Sequence, residues 1–183
     1  MSTVQSLVTA EEFMRMSFDV PVELVRGEII EMSRPDQAHG CVCANVTFAL
    51  SVWSRHSKRG LVTANDSGVI TERDPDTVRG ADVCYFNIER VPGGKFDRRT
   101  RDLVPNVCVE VLSEFDRWRE VHCKIDEYLE RGVNEVWIVD PKKRQVQVFR
   151  AEESPVSFNE DSDLTSDQLP GFTCPVSEFF AGI

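Results

Sequence analysis

Two carboxylates stand alone in the most strand-like segments of the chain. In ADVCYFNIER (81–90), Asp82 precedes Val83, Cys84, Tyr85 and Phe86; in NVCVEVLSEFDRW (106–118), Glu110 interrupts a run of Val and Cys. Strand side chains alternate between faces, so Asp82 shares a face with Cys84 and Phe86, and Glu110 with Cys108 and Leu112. Adjacent strands would bring the two acids to one point on a sheet. Two carboxylates placed together repel, and a lone buried ion is unfavourable. A divalent cation with oxygen ligands is the economical compensation.

A third group follows in the next segment. Residues from about 115 to 131 read as a helix ending at Gly132, with Trp118, Val121, Ile125, Tyr128 and Leu129 as its apolar stripe. At roughly 100° per residue, Lys124 and Arg117 lie on one flank of that stripe. Lys124 either delivers its amine to the sheet edge or snorkels into water with its stem on apolar surface. Two carboxylates and a lysine suit metal-dependent phosphodiester hydrolysis, in which the cation polarises the phosphoryl oxygen and the lysine stabilises charge or positions water. Two bland placements carry equal weight on spacing alone: Asp82 capping a strand end, and Glu110 meeting an arginine.

The elements that must position these groups follow from local pattern. TAEEFMRM (9–16) has an N-cap Thr9 and early acids, predicting a short helix. VELVRGEIIEM (22–32) reads as two strands turning at Arg26-Gly27. Residues 35–60 predict a long helix, with Val42, Val46, Ala49, Leu50 and Trp53 at helical spacing and Gly60 as its stop. Strands are expected at 61–64, 67–71, 81–87, 106–112, 135–140 and 145–150, with a charged Pro/Gly loop at 90–105. From 151 the chain is acidic and irregular except for LPGFTCPVSEFF, whose aromatics are expected to dock on the core.

With 183 residues and 41% hydrophobic content, the expectation is a single domain spanning 1–183, with a core at about 8–150 and a docking tail at 151–183. No apolar run approaches the roughly 20 residues of a membrane-spanning helix, and the first residues lack a basic, apolar leader. A cytoplasmic protein is expected. The cysteines at 41, 43, 84, 108, 123 and 174 include no C-x-x-C pair and read as reduced, mostly buried thiols. A net charge of −10 argues against a general nucleic-acid coat but leaves room for a localised groove. The basic clusters RHSKR (55–59), KFDRRTR (95–101) and KKR (142–144), taken singly, read as solvated faces.

In order along the chain, VELVRGEIIEMSRPDQAHG, RGADVCYF, VCVEVLSEFDRWREVHCKIDEYLERGVNEVWIVDPKKRQVQVFR and LPGFTCPVSEFF resemble the Uma-two family, over about residues 8–180. That bacterial family, also described as a domain of unknown function, belongs to the restriction-endonuclease-like PD-(D/E)XK superfamily. The resemblance implies an α/β fold with a central mixed sheet flanked by helices. It also implies a Mg²⁺- or Mn²⁺-dependent DNA endonuclease. By resemblance, Asp82 is the acid of the PD element, Glu110 that of the second, and Glu28 the acid before the long first helix. The superfamily's lysine usually stands two residues after the second acid, where this chain has Leu112; Lys124 matches the family's displaced lysine. His39 matches a family histidine that either touches metal or phosphate or packs as a helix cap, and Arg117 would lie in the outer ring of the site. His56 and His122 match no chemical pattern and are expected at the surface. Ala81 replaces the proline of PD, and LSEFD replaces the commoner LSPSD, adding Glu114. A homodimer would give the two related sites that double-strand cleavage requires. The competing class keeps the fold as a non-catalytic nucleic-acid-binding or regulatory protein, with its acids salt-bridged to Arg117 or Arg79.

Overall fold

The computed structural model describes residues 7–97 and 100–183. The first six residues of the predicted N-terminal segment, and Arg98 and Arg99 of the KFDRRTR cluster, lie outside the described residues.

The chain opens with a single helical turn, α1 (Ala10–Phe13), shorter than the predicted 9–16. Thr9 and Glu12 form a reciprocal capping box around its first amides. The predicted hairpin follows as β1 (Val22–Val25) and β2 (Glu28–Glu31), turning through Arg26 and Gly27 at positive φ. Helix α2 (Gln37–Ser57) begins where the Asp36 carboxylate accepts the His39 amide. It ends on Lys58 in the left-handed conformation rather than on Gly60. Gly60 instead starts the next strand, where a Cβ would collide with the Phe86 carbonyl and the Tyr85 ring.

The two strands expected at 61–64 and 67–71 are one, β3 (Gly60–Glu72). It pairs along β4 (Thr77–Asn87), with a register shift between Ala64 and Ser67. Asn65 and Asp66, both at positive φ, form this bulge opposite Asp82. A local pattern interrupted by polar residues reads as two strands, whereas a bulge keeps the pairing continuous. The segment after β4 includes short 3₁₀ turns at Ile88–Arg90 and Pro92–Gly94.

Next come β5 (Val107–Val111), α3 (Trp118–Arg131), β6 (Glu135–Asp140) and β7 (Gln145–Phe149). Helix α3 starts three residues later than predicted, because the Ser113 amide turns back to the Asp116 carboxylate. The tail is more ordered than its composition suggests. It supplies β8 (Val156–Asn159) and a small hairpin of β9 (Asp163–Thr165) and β10 (Thr173–Pro175).

The main sheet runs β2-β1-β4-β5-β6-β7-β8, with β3 on the other edge of β4. Among the described residues only the β5–β6 pairing of this sheet is parallel, as expected for strands joined through a helix. Strand alternation divides the core. Val83, Tyr85, Val107, Val109, Val111 and Trp137 face α2, whose Val42, Val46 and Leu50 recur every four residues. Cys84, Phe86, Cys108, Val136 and Ile138 face the Val121, Ile125 and Tyr128 stripe of α3. Trp118 is the exception in that stripe: it is 40% exposed, with the Lys143 ammonium over its ring. The tail's Leu164, Leu169, Phe172, Phe179 and Phe180 pack on the α2 side of the sheet.

Candidate active site

The site forms where the sheet opens. Pairing of β4 with β5 runs from Tyr85↔Val107 to Val83↔Val109 and stops there, while β1 takes up the same edge of β4 at Val78. Asp82 is the first β4 residue past that end. Its Oδ2 accepts the Val111 amide at 2.7 Å, replacing the strand partner that amide would otherwise have. A carboxylate therefore bridges the gap between diverging strands. Asp82 is reached from the α2 side by His39, whose Nε2 lies 3.5 Å from Oδ1.

Glu110 is met from the α3 side. The Tyr128 hydroxyl donates to its Oε1 at 2.7 Å, and the Lys124 ammonium lies 3.5 Å from Oε2. Lys124 and Tyr128 are four residues apart, so both project from the same face of α3. Burial, with the neighbouring Asp82 charge, pushes the Glu110 carboxyl up to about 7, although Lys124 and Tyr128 act in the opposite direction. Asp82 and Glu110 thus sense each other across the gap.

Lys124 has a closer partner in Glu23, at 2.8 Å. Glu23 is a 3% exposed carboxylate on β1 that also accepts the Gly80 amide and the Arg79 guanidinium. Burial alone would raise its pKa; Lys124 and Arg79 outweigh that and hold it below the usual carboxylate range. Arg79 is itself forked onto Glu127 of α3, with both nitrogens at 2.6 Å. For Lys124, burial opposes the charge, but Glu110 and Glu23 prevail and raise its pKa. It is an ammonium at neutral pH.

Asp82, Glu110, Lys124 and His39 are brought together among the residues predicted from sequence. Glu28 is not among them: it is exposed on β2, and no hydrogen bond or ion pair among the described residues ties it to the cluster. The acid that β1–β2 contributes is Glu23, one strand earlier. Arg117 stands at the N-terminus of α3, 81% exposed, 3.9 Å from Glu120. Among the described residues, no ion pair joins Arg117 or Arg79 to Asp82 or Glu110. His56 and His122 are both exposed. Sequence reasoning passed over Glu23, Tyr128 and the bulge residue Asp66. Glu23 carried the same signal as Asp82, a lone acid between Val22 and Leu24, and Tyr128 stands at i+4 from Lys124.

A cleft of ≈ 660 Å³ opens beside Asp82, between α2 and the β3 bulge; His39, Cys43, Asp66, Phe48 and Arg55 are among its lining residues. Desolvation and the Asp82 charge raise the Asp66 carboxyl. Burial works against a charged His39, but its hydrogen bond to Asp82 and the Asp82 charge more than compensate, so its pKa is raised. A buried carboxyl pair, an ammonium beside it and an adjoining cleft can hold a cation and receive a phosphate. The oxygen donors suit a hard divalent ion.

The comparisons agree with this architecture. The profile of the family described as "Putative restriction endonuclease", Uma2, matches residues 10–177. A crystal structure described as a "putative nuclease belonging to DUF820" from Anabaena variabilis superposes with a TM-score of 0.78. The alignment covers 95% of this chain and 98% of that one, at 17% identity. A likeness at that identity bears on fold, which is restriction-endonuclease-like. No curated protein matches the chain significantly. With residues 10–177 of its 183 matched by the family profile, the chain belongs to the Uma2 family.

Proposed function

We propose that this protein is a divalent-metal-dependent DNA endonuclease whose reaction centre is Asp82, Glu110 and Lys124. The observation that carries the reading is the Glu110 carboxylate, pressed against the charge of Asp82 and fastened by Tyr128 and Lys124, in a member of a nuclease family. Asp82 and Glu110 would hold Mg²⁺ or Mn²⁺, which when bound polarises a phosphoryl oxygen and makes hydroxide available near neutral pH. Lys124 is a fixed positive charge rather than a general base, because the surrounding acids keep it protonated. Its role is to counter charge developing on the phosphorane. Glu23 and Arg79 hold that ammonium in place, and Tyr128 orients Glu110. His39 orients the free oxygen of Asp82.

The DNA must be received locally, since a net charge of −10 repels a duplex elsewhere. Exposed Phe48 and Val52 on α2 suit a pairing of two copies, which light scattering would detect. Among the described residues no helix is long and apolar enough to cross a membrane.

The test is nicking of supercoiled plasmid with Mg²⁺ or Mn²⁺, with EDTA as control. Asp82→Asn, Glu110→Gln and Lys124→Ala should each lower the rate by about 100-fold or more while leaving the fold intact. Equal nicking by all three variants would expose a contaminant. A wild-type protein that binds DNA without cutting it would instead favour a binding or regulatory role, for which the shorter Lys124–Glu23 pair already provides a motive.

A further inference from the structure

His39, Cys43 and Asp82 present one donor atom each within 4.8 Å of one another. The first two are four residues apart on α2, so they share a face, and the strand gap brings the third against them. The His39 ring has one nitrogen 3.4 Å from the Cys43 sulfur and the other 3.5 Å from the Asp82 carboxylate. A tetrahedral ion with bonds of about 2.0–2.3 Å has edges of roughly 3.3–3.7 Å between its ligands. With a single His39 nitrogen as donor the three atoms lie within 4.8 Å of one another, so a modest turn of the ring and a small closure would bring them to that spacing.

Two alternatives for this trio are weaker. Thiol, imidazole and carboxylate in series also suggest a cysteine nucleophile. A reactive thiolate needs an electropositive surrounding, however, and Cys43 has Asp82, Asp66 and Glu110 around it. Those charges disfavour a free thiolate and favour a dication. A purely structural role is also poor, because all three residues line the open cleft, although Cys43 also touches the core.

We propose that His39, Cys43 and Asp82 form a site for a borderline-soft transition-metal dication such as Zn²⁺. It is distinct in its donors from the oxygen-ligated centre of Asp82 and Glu110, and competes with it for Asp82. The imidazole and thiolate select zinc over magnesium, since soft sulfur and nitrogen donors prefer that class of ion. Binding releases the thiol proton to solvent as the sulfur–metal bond forms. The cleft leaves a further position open to water. Because both ions draw on the same Asp82 oxygen and two dications held there would repel each other, zinc binding inhibits magnesium-dependent nicking; this consequence, though not the site itself, rests on the endonuclease reading.

Cobalt is the probe, because thiolate ligation gives Co²⁺ an intense sulfur-to-metal charge-transfer band that oxygen ligation lacks. The full-length chain is used with Cys123→Ser, which removes the exposed thiol. We expect a saturable band at one ion per chain, displaced by Zn²⁺ and not by Mg²⁺. Cys43→Ser and Cys43→Ala should abolish it, and His39→Gln and Asp82→Asn should weaken Co²⁺ binding at least tenfold. Glu110→Gln should keep it. Melting curves confirm that each variant folds. A band that survives both Cys43 variants, or no band in folded protein, overturns the proposal. If the band behaves as expected but the wild type nicks nothing, the zinc site stands and the endonuclease reading falls. Where nicking occurs, micromolar Zn²⁺ should inhibit it, and whatever Mg²⁺-dependent nicking Cys43→Ser retains should be insensitive to Zn²⁺. Unchanged inhibition in that variant overturns the shared use of Asp82.

Discussion

Glu110 sits under opposing influences, and their balance is measurable. Burial and Asp82 favour its protonated form; Lys124 and the Tyr128 hydroxyl favour the anion. The first pair prevails, so the folded protein keeps the proton up to about 7 whereas the unfolded chain loses it near 4.5. Between those values the unfolded state binds fewer protons, and stability must fall as pH rises. In metal-free buffer we expect the wild type to lose on the order of 3 kcal/mol across that window from this group. Glu110→Gln should flatten the loss and melt at a higher temperature at pH 8. A pH slope in the variant equal to that of the wild type would show that Glu110 is not the strained acid. Of the residues at the site, Asp82 and Glu110 were legible because each stands out against its local pattern, whereas Lys124 was singled out by the family resemblance. Glu23 was equally anomalous, but the hairpin offers three acids, Glu23, Glu28 and Glu31. Choosing among them requires knowing which strand lies against β4.

Strand β1 touches β4 through Leu24 and Val78, and a buried ion network extends that contact to α3. Arg79 of β4 binds Glu23 of β1 at 2.8 Å and Glu127 of α3 at 2.6 Å. Three elements are thereby held in the arrangement that places Lys124 over Glu110. Removing one member of a buried pair leaves the other desolvated without compensation. Arg79→Met should therefore lower stability by on the order of 3 kcal/mol in urea unfolding, chiefly by stranding Glu127. A change under about 1 kcal/mol would mean that water readily replaces the guanidinium. None of this network was visible in pattern, since its members are 48 and 56 residues apart. The helices themselves were read well. Apolar spacing and N-cap chemistry are local, and their errors lie at the ends: Lys58 rather than Gly60 closes α2, and a side-chain turn at Asp116 delays α3.

The last thirty residues pack back onto the α2 side of the sheet. Phe179 and Phe180 are wholly buried with Leu164 and Leu169, and Ser166 donates to the fully buried Glu135 at 2.8 Å. Phe179→Ala should cost about 3–5 kcal/mol, as truncation of a buried aromatic generally does. Calorimetry should show one transition lowered as a whole, whereas an early separate transition would mark the tail as an independent unit. The aromatics of LPGFTCPVSEFF marked where the tail meets the sheet, whereas its acidic composition concealed β8 and β9. From sequence alone came the lone acids, the lysine-bearing helix and the alternation of strand faces, all set by backbone periods of two and 3.6 residues. The strand gap that Asp82 bridges, the bulge beside it, and the preference for Glu23 over Glu28 arise from pairings between distant segments. Local periodicity carries no information about which strand edge a distant residue will meet.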